Sequence, residues 1–382
     1  MLKEKEQDIL PEIVKLRHYF HEYPELSNQE FKTTKKIIEI LNKWDIPVVP
    51  TKLNKGLLAQ IKGDYPGPTI ALRADIDALP IEEKTNLSYK SQNTGVMHAC
   101  GHDIHLSSLL GAAYLLNQHK EKINGTIDLL FQPAEEVGHG GDQVIEKNVL
   151  KGVDAIVGFH NMPTLKPGII AMKKGPLMAG CYHFVITLHG AGTHAAQPQE
   201  GTDVVVTQAA IISQLQTIVS RNNNPFHSVV VSVTKVNAGE TWNVLPEMAV
   251  LEGTVRTFYD EDTELVKRRL FKIVNDISSA FNQKADIDWT TGAHPVNNDE
   301  KITSIVKNGL SLEVEKPVET MTAEDFATFE QIIPGTFAFI GSNGDPQAVG
   351  VHDPHYIGSD ETIQTAIKYF VESAYSLLSQ LK

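Results

Sequence analysis

Apolar residues at the start of the chain recur every three or four positions, and shorter apolar blocks follow. Ile9, Ile13 and Phe20 share one face of a predicted helix, and Pro24 interrupts that pattern. Four later blocks have the length and composition of buried strands: 57–61, 69–73, 126–131 and 155–159. A helical pattern at about 105–118 lies between two of them. Strands that alternate with helices predict an α/β sheet with parallel members.

The pattern changes near Gly180, where apolar and polar positions begin to alternate as in strands with one solvated face. The predicted elements, in chain order, are a strand at 183–188, a helix at 202–219, strands at 229–236 and 248–258, a helix at 265–281 and a strand at 286–291. This β-α-β-β-α-β order is that of the split βαβ, or ferredoxin-like, unit. We therefore predict an inserted domain at 181–293 and a discontinuous α/β domain made of 1–180 and 294–382.

The length and charge of the chain limit the number of domains and the classes of protein to which it can belong. Its 382 residues favour two domains. The 47 acidic and 34 basic residues give a net charge of −13, which argues against a nucleic-acid-binding protein because such proteins carry a basic stripe. Segment 1–6 is charged and precedes no apolar run, so we predict neither a signal peptide nor a membrane span and expect a cytoplasmic protein. In that reducing compartment we expect no disulfide between Cys100 and Cys181.

Segment 97–105 is the richest in reactive side chains. It holds one thiol, Cys100, and the imidazoles of His98, His102 and His105, directly before the predicted helix. Thiolate and neutral imidazole are good ligands for zinc-like metals. A polar loop with a buried cysteine is the alternative, and a cysteine hydrolase with Cys100 as nucleophile and a nearby histidine as base is another.

Other polar residues follow the predicted strands. Glu135 and Glu136 come after 126–131, His160 follows 155–159, and Asp75 belongs to the polar segment that follows 69–73. We expect four successive strands to deliver such residues to one sheet edge, where open α/β sheets bind ligands. One glutamate can bind a metal while its neighbour acts as general base, whereas an isolated Glu-Glu pair would suggest only a solvated turn.

Candidates also lie further along the chain. His352 could complete the set of ligands, and His355 is its local competitor. In the inserted domain His194 lies in a glycine- and proline-rich turn, where it could reach a substrate from a lid or simply cap a helix. Asn243 and Arg256 are polar residues in strand-rich context. An arginine suits a substrate carboxylate, and a surface salt bridge is the alternative.

Taken together, these segments resemble the M20 metallopeptidase family, and within it the amidohydrolase branch of N-acyl-amino-acid, hippurate and auxin-conjugate hydrolases. The resemblance covers essentially the whole chain, and it rests on Arg17-His18, 21–27, 73–80, 97–105, 132–136, 322–326 and 351–354. It implies a mixed-sheet catalytic domain of the zinc-peptidase type with an inserted ferredoxin-like lid and dimerisation domain. One departure is Gln199, which stands where the family more often has a histidine in the lid loop.

The resemblance also implies roles for particular residues. It makes Cys100, His102, Glu136, His160 and His352 the ligands of two divalent ions, zinc or manganese. Glu135 becomes the general base, His194 the lid histidine that stabilises the transition state, and Asn243 and Arg256 substrate-binding residues. The chain would then be a homodimer or homotetramer assembled through the lid.

The predicted function is hydrolysis of the amide bond of N-acyl amino acids, with Glu135 as general base acting on a water activated by divalent metal. A dipeptidase or carboxypeptidase, or an N-acetyl-diaminopimelate-type deacetylase, would use the same residues. A non-catalytic metal-dependent binding protein is the alternative from a different class. No nucleic acid or membrane is expected as a partner; the expected ligand is a small N-acyl amino acid or a short peptide.

Overall fold

The computed structural model describes residues 2–345 and 347–381, with side chains described from Asp8 onwards. The side chains of segment 1–6, on which the prediction about leader sequences depends, therefore lie outside the described residues. Within the described part of the chain, no helix is both long enough and apolar enough to cross a membrane.

The helices include all four that the apolar periodicity predicts. They are α1 Leu2–Glu22, α2 Phe31–Lys43, α3 His102–Asn117, α4 Gly140–Glu146, α5 Val204–Thr217, α6 Asp260–Ala280, α7 Glu300–Gly309, α8 Phe326–Glu330 and α9 Glu361–Gln380. One start differs from the prediction, because α3 begins at His102 and not near residue 105. The polar residues His102 and Asp103 in its first turn hide the apolar period there, although both are buried.

The strands are β1 Val48–Val49, β2 Leu57–Lys62, β3 Tyr65–Asp75, β4 Asn124–Gln132, β5 Ala155–Met162, β6 Ile170–Ala171, β7 Gly175–Met178, β8 Gly180–His189, β9 Thr193–His194, β10 Val229–Ala238, β11 Val244–Leu245, β12 Met248–Thr257, β13 Lys284–Ala293, β14 Val296–Asn298, β15 Val314–Glu315 and β16 Gly335–Gly341. The chain divides into two compact units. The first consists of Met1–Leu177, Asn297–Val318 and Asp325–Lys382, and the second consists of Met178–Val296 and Glu319–Glu324.

The first unit contains a mixed eight-stranded sheet in the order β1-β2-β4-β3-β5-β16-β6-β15. Strand β3 runs parallel to β4 and β5, β16 runs parallel to β5, and β2 is antiparallel to β4. Helices α1, α3 and α9 pack together, and their apolar faces share one core with the central strands. The carboxyl ends of β3, β4 and β5 therefore lie at the same edge of the sheet.

The expectation that four successive strands supply the polar residues is wrong in one respect. Strands β3, β4 and β5 do so, whereas β2 is antiparallel to β4 and therefore ends at the opposite edge; Cys100 lies, as predicted, in the loop that leads into α3. That loop cannot continue as a strand because Gly101, the residue before α3, has φ 90°.

The second unit contains an antiparallel sheet in the order β10-β12-β8-β13. Its elements follow one another as β8, α5, β10, β12, α6 and β13, together with the short pair β9–β11. Alternate residues of the strands pack with α5 and α6 in a second core. The other residues along β8 are half-buried or exposed, which explains the period of two in the sequence.

Candidate active site

The predicted donor side chains of the first unit come from three strand ends and two loops. Asp75 ends β3, Gln132 ends β4 just before Glu135 and Glu136, and His160 lies in β5. Cys100 and His102 flank Gly101 at the start of α3, and His352 lies in the connection between β16 and α9.

These side chains converge. The Sγ atom of Cys100 lies 3.2 Å from Nε2 of His160. Nε2 of His352 lies 3.3 Å from Oε2 of Glu136. Three overlapping sets have donor atoms within 4.8 Å of one another: Cys100, His102 and His160; Cys100, Glu136 and His352; His102, Glu135 and Glu136.

Asp77 orients two of the donors. Its backbone oxygen and Oδ1 lie 2.9 and 3.2 Å from Nδ1 of His102, so that nitrogen carries the proton and donates it. Oδ2 of Asp77 accepts the backbone N–H of Glu136 at 3.0 Å and the hydroxyl of Ser27 at 2.6 Å. The Nε2 lone pair of His102 is therefore directed at the carboxylates, which is the arrangement that a metal-binding histidine requires.

The unpaired atoms show that the cluster fits a cation. Nε2 of His102 lies 3.9 Å from Glu135 and 3.7 Å from Glu136. Among the described residues, Nε2 of His102 and Oε1 of Glu136 are buried and have no hydrogen-bond partner. A lone pair facing carboxylate oxygens is unfavourable, so either a proton on Nε2 or a metal ion between the groups must supply a positive charge there. Thiolate, imidazole and carboxylate together suit divalent ions of the zinc and manganese type.

The pKa shifts of Cys100 and His102 are those expected of a cation-binding cluster. Burial, and then Glu136 and Glu135, raise the pKa of the Cys100 thiol well above its usual value. Burial opposes protonation of His102, yet Asp75, Asp77 and Glu136 raise its pKa to about 10. Without a metal the site therefore retains protons, and a divalent ion would replace them and deprotonate the thiol.

His105 has a different role from the other histidines of segment 97–105. Its Nδ1 donates to Asp75 at 2.6 Å, and its Nε2 accepts from the backbone N–H and the side-chain amide of Asn161, both at 3.1 Å. Burial lowers the pKa of His105 to about 4, so the ring is neutral. Both ring nitrogens of His98 are buried and lack a hydrogen-bond partner among the described residues.

The second carboxylate oxygen of Asp75, which does not contact His105, is bound by Arg73. This oxygen, Oδ2, accepts from Nη1 of Arg73 at 2.8 Å, and Nη2 of Arg73 lies 2.8 Å from Asp325. The fully buried Arg73 thus ties the end of β3 to the start of α8. No local sequence pattern indicates the role of Asn161 or the contact with Asp325; the one signal for Asn161 is that it directly follows a candidate ligand at a strand end.

The two histidines of the 342–360 connection lie in different surroundings. His352 has φ 68°, and its backbone N–H donates to Ala99 at 2.8 Å, which directs its ring at Glu136. The ring of His355 lies 3.0 Å from Asp353, so it is engaged locally, although the two histidines are about equally exposed, at 51% and 59%. The geometry therefore favours His352 over His355 as a donor.

The remaining candidates lie in the second unit. His194 pairs with Val244 between β9 and β11, and the N–H of Ala195 donates to Asn243 at 3.0 Å, so His194 and Asn243 are neighbours. Nδ1 of His194 accepts the N–H of Ala196 at 3.1 Å. Arg256 lies opposite Cys181 on β12 and donates to the backbone oxygen of Val255 at 3.1 Å and to the hydroxyl of Thr254.

Comparisons with known proteins agree with this site. Residues 71–376 match the family described as Peptidase family M20/M25/M40. The N-acetyl-L-cysteine deacetylase of Bacillus subtilis (strain 168) is 47% identical over 373 residues, which cover 96% of this chain and 88% of that protein. The IAA-amino acid hydrolase ILR1-like 5 of Arabidopsis thaliana is 35% identical over 391 residues, covering 97% and 90%.

A solved structure is also similar. The Bacillus subtilis YXEP protein, described as a dinuclear metal-binding peptidase from the M20 family, matches with a TM-score of 0.89 at 37% identity, covering 98% of this chain and 100% of that chain. The donor cluster, the family match and these relatives agree with one another. The chain therefore belongs to peptidase family M20/M25/M40, in its amidohydrolase branch, and is a metal-dependent hydrolase that acts on amides.

Proposed function

We propose that this protein hydrolyses the amide bond of N-acyl amino acids, with Glu135 as general base. The observation that carries the proposal is the pair of adjacent carboxylates, Glu135 and Glu136, which lie 3.9 and 3.7 Å from Nε2 of His102, a buried nitrogen without a hydrogen-bond partner among the described residues. One carboxylate of such a pair can bind metal while the other exchanges protons. Relatives that act on N-acetyl-L-cysteine and on IAA-amino acids support an acylated amino acid as substrate.

In this proposal Cys100, His102, Glu136, His160 and His352 hold two divalent ions, zinc or manganese. When bound, such ions supply the Lewis acidity that polarises a carbonyl group and makes water more acidic. Glu135 takes the proton of the attacking water and returns it to the departing nitrogen, so the carboxylate ends the cycle as it began. Asp77 and Asp75 hold the imidazoles of His102 and His105 in the orientation that this requires.

Residues 181–293 form, in the same proposal, a ferredoxin-like lid and dimerisation domain. The antiparallel order β10-β12-β8-β13 supports that fold. His194 stabilises the transition state, and Asn243 and Arg256 bind the substrate. We expect a cytoplasmic homodimer or homotetramer, and light scattering on the purified protein measures which one forms.

A substrate panel tests the proposed function. The apoprotein is reconstituted with Zn²⁺ or with Mn²⁺ and given N-acyl amino acids that differ in acyl group and side chain, together with dipeptides and N-acetyl-diaminopimelate. Turnover of N-acyl amino acids above the other two classes supports the proposal. Preference for dipeptides would make the protein a dipeptidase or carboxypeptidase, and preference for N-acetyl-diaminopimelate would make it a biosynthetic deacetylase. Failure on every member would favour a non-catalytic metal-binding protein.

A further inference from the structure

Asn161 occupies the centre of a buried hydrogen-bond network beside the candidate ligands. The residue is 1% exposed. Its backbone oxygen lies 2.7 Å from Nδ1 of His160, and that ring nitrogen therefore donates to it. This contact leaves Nε2 of His160 free of a proton on the side that faces Cys100.

The side-chain amide of Asn161 reaches the loop before α3. Its Nδ2 donates to the backbone oxygen of Cys100 at 2.6 Å and to Nε2 of His105 at 3.1 Å. A Cβ atom on Gly101 would lie 2.4 Å from the same Nδ2, so the glycine allows this close approach. Asn161 therefore holds the loop that carries Cys100 and His102.

The amide oxygen of Asn161 reaches the connection that carries His352. It accepts the hydroxyls of Ser342, at 3.0 Å, and of Tyr356. Tyr356 is 1% exposed and packs with Met97 and Ala99. The amide orientation is unambiguous, because the two hydroxyls face the oxygen, whereas a carbonyl and a deprotonated ring nitrogen face the NH₂ group.

We propose that Asn161 is the positioning residue that holds three ligand-bearing segments, those of Cys100, His160 and His352, in a single metal-competent arrangement. The inference rests on the proposed assignment of these residues as ligands and adds a residue that itself binds no metal. Because one side-chain amide joins the Cys100 and His352 segments to the strand that carries His160, its loss should loosen both segments from that strand.

Metal affinity tests the proposal. Zn²⁺ binding to each apoprotein is measured by competition with a chromophoric chelator, and Co²⁺ substitution reports on Cys100 through the thiolate-to-cobalt charge-transfer band. We expect Asn161→Ala to weaken Zn²⁺ binding by about 10- to 100-fold and to alter that band, as loss of other supporting partners of metal ligands does. Asn161→Asp keeps the size and both acceptor contacts but loses both donors, so we expect a loss in the same range from a variant that keeps its volume.

Two buried tyrosines provide a matched pair. Tyr356→Phe removes one hydroxyl from Asn161, and we expect a loss of about 5-fold in Zn²⁺ affinity, the value of one hydrogen bond. Tyr369→Phe removes an equally buried hydroxyl that donates to Gly158 at 3.1 Å, and we expect wild-type Zn²⁺ affinity. Thermal unfolding of each apoprotein separates loss of stability from loss of metal affinity.

The outcomes distinguish the two proposals. Wild-type Zn²⁺ affinity and a wild-type cobalt band in Asn161→Asp would overturn the positioning role, even if the apoprotein were less stable. Cys100→Ser tests the assignment beneath it: a charge-transfer band that survives in this variant would show that Cys100 is not a ligand, and the positioning role would fall with it. Loss of the band in Cys100→Ser, with its retention in Asn161→Asp, would overturn the positioning role alone.

Discussion

At Gly101 the backbone conformation and the close packing leave little choice of side chain. Its φ of 90° lies in the left-handed region, and a Cβ atom would lie 2.4 Å from Nδ2 of Asn161. An L-residue therefore meets both a backbone penalty and a clash with a residue that is already fully bonded.

Replacement of Gly101 by alanine separates these two effects when Gly168 serves as control. Gly168 has φ 94°, and nothing lies within 4 Å of its added Cβ. We expect Gly168→Ala to lower the free energy of unfolding by about 1–2 kcal/mol through backbone strain alone. Gly101→Ala should lose more than that and also bind Zn²⁺ more weakly, as urea unfolding and chelator competition would measure. Equal losses of stability with unchanged Zn²⁺ affinity would contradict the role given to the contact with Asn161.

Glu135 carries the chemical step in the proposed mechanism. Glu135→Gln keeps the shape of the side chain but removes the base, so we expect kcat to fall by about 10²–10⁴-fold while metal content is unchanged. Steady-state kinetics and metal analysis of the same preparation measure both quantities. Glu121→Gln, on a side chain that is 55% exposed, serves as control and should keep wild-type kcat. Near-wild-type turnover in Glu135→Gln would remove Glu135 from the mechanism.

Helix α1 contributes to the site through its contact with α3. Arg17 and His21, four residues apart on one face of α1, lie 3.0 and 3.1 Å from the Asp103 carboxylate in the first turn of α3. His21 also lies 3.4 Å from Glu83. Burial opposes protonation of His21, but Asp103 and Glu83 raise its pKa to about 9. Asp103, the neighbour of the proposed ligand His102, is thus tied to an element far away in the sequence.

The contact between His21 and Asp103 should make the free energy of unfolding depend on pH. Because the folded pKa of His21 lies above its unfolded value of 6.5, the stabilisation is fully present below pH 6.5 and is lost as pH rises through about 9. A shift of that size corresponds to about 3 kcal/mol. Urea unfolding of the apoproteins between these pH values should therefore show wild type losing stability relative to His21→Gln. Parallel curves for the two proteins would mean that His21 is neutral in the folded state.

The whole molecule carries a net charge of −13, and its donor cluster concentrates acidic groups around buried imidazoles. Such a site is unfavourable without a cation, so metal binding and folding are coupled. Ions that bind only the folded protein raise its unfolding temperature with concentration.

Removal of metal by a chelator distinguishes a metal-dependent hydrolase from a cysteine hydrolase. We expect a chelator to abolish activity and lower the unfolding temperature, and Zn²⁺ or Mn²⁺ to restore both. Iodoacetamide should leave the metal-loaded protein active, because Cys100 is buried and is, in the proposed function, a metal ligand. The assay uses Cys181→Ser, so that the half-buried Cys181 cannot react. Inactivation by alkylation together with indifference to chelators would instead make Cys100 the nucleophile.

Periodicity and residue chemistry were sufficient to predict the local helices and strands and the kinds of donor side chain. The apolar spacing in α1 and α6, the alternation in β8 and the carboxylates after β4 are short-range patterns, and local backbone geometry translates them directly. The resemblance to the M20 family rested on such short segments as well, and the family match confirmed it.

Long-range contacts decided the rest. The choice between His352 and His355 depends on a backbone bond to Ala99, and the role of Asn161 depends on Ser342 and Tyr356, nearly two hundred positions later in the chain. No local pattern encodes these pairs, because burial and hydrogen-bond satisfaction are properties of the packed chain as a whole. The donor residues could therefore be named from the order of amino acids, whereas the contacts that hold them together arise only when the distant segments pack.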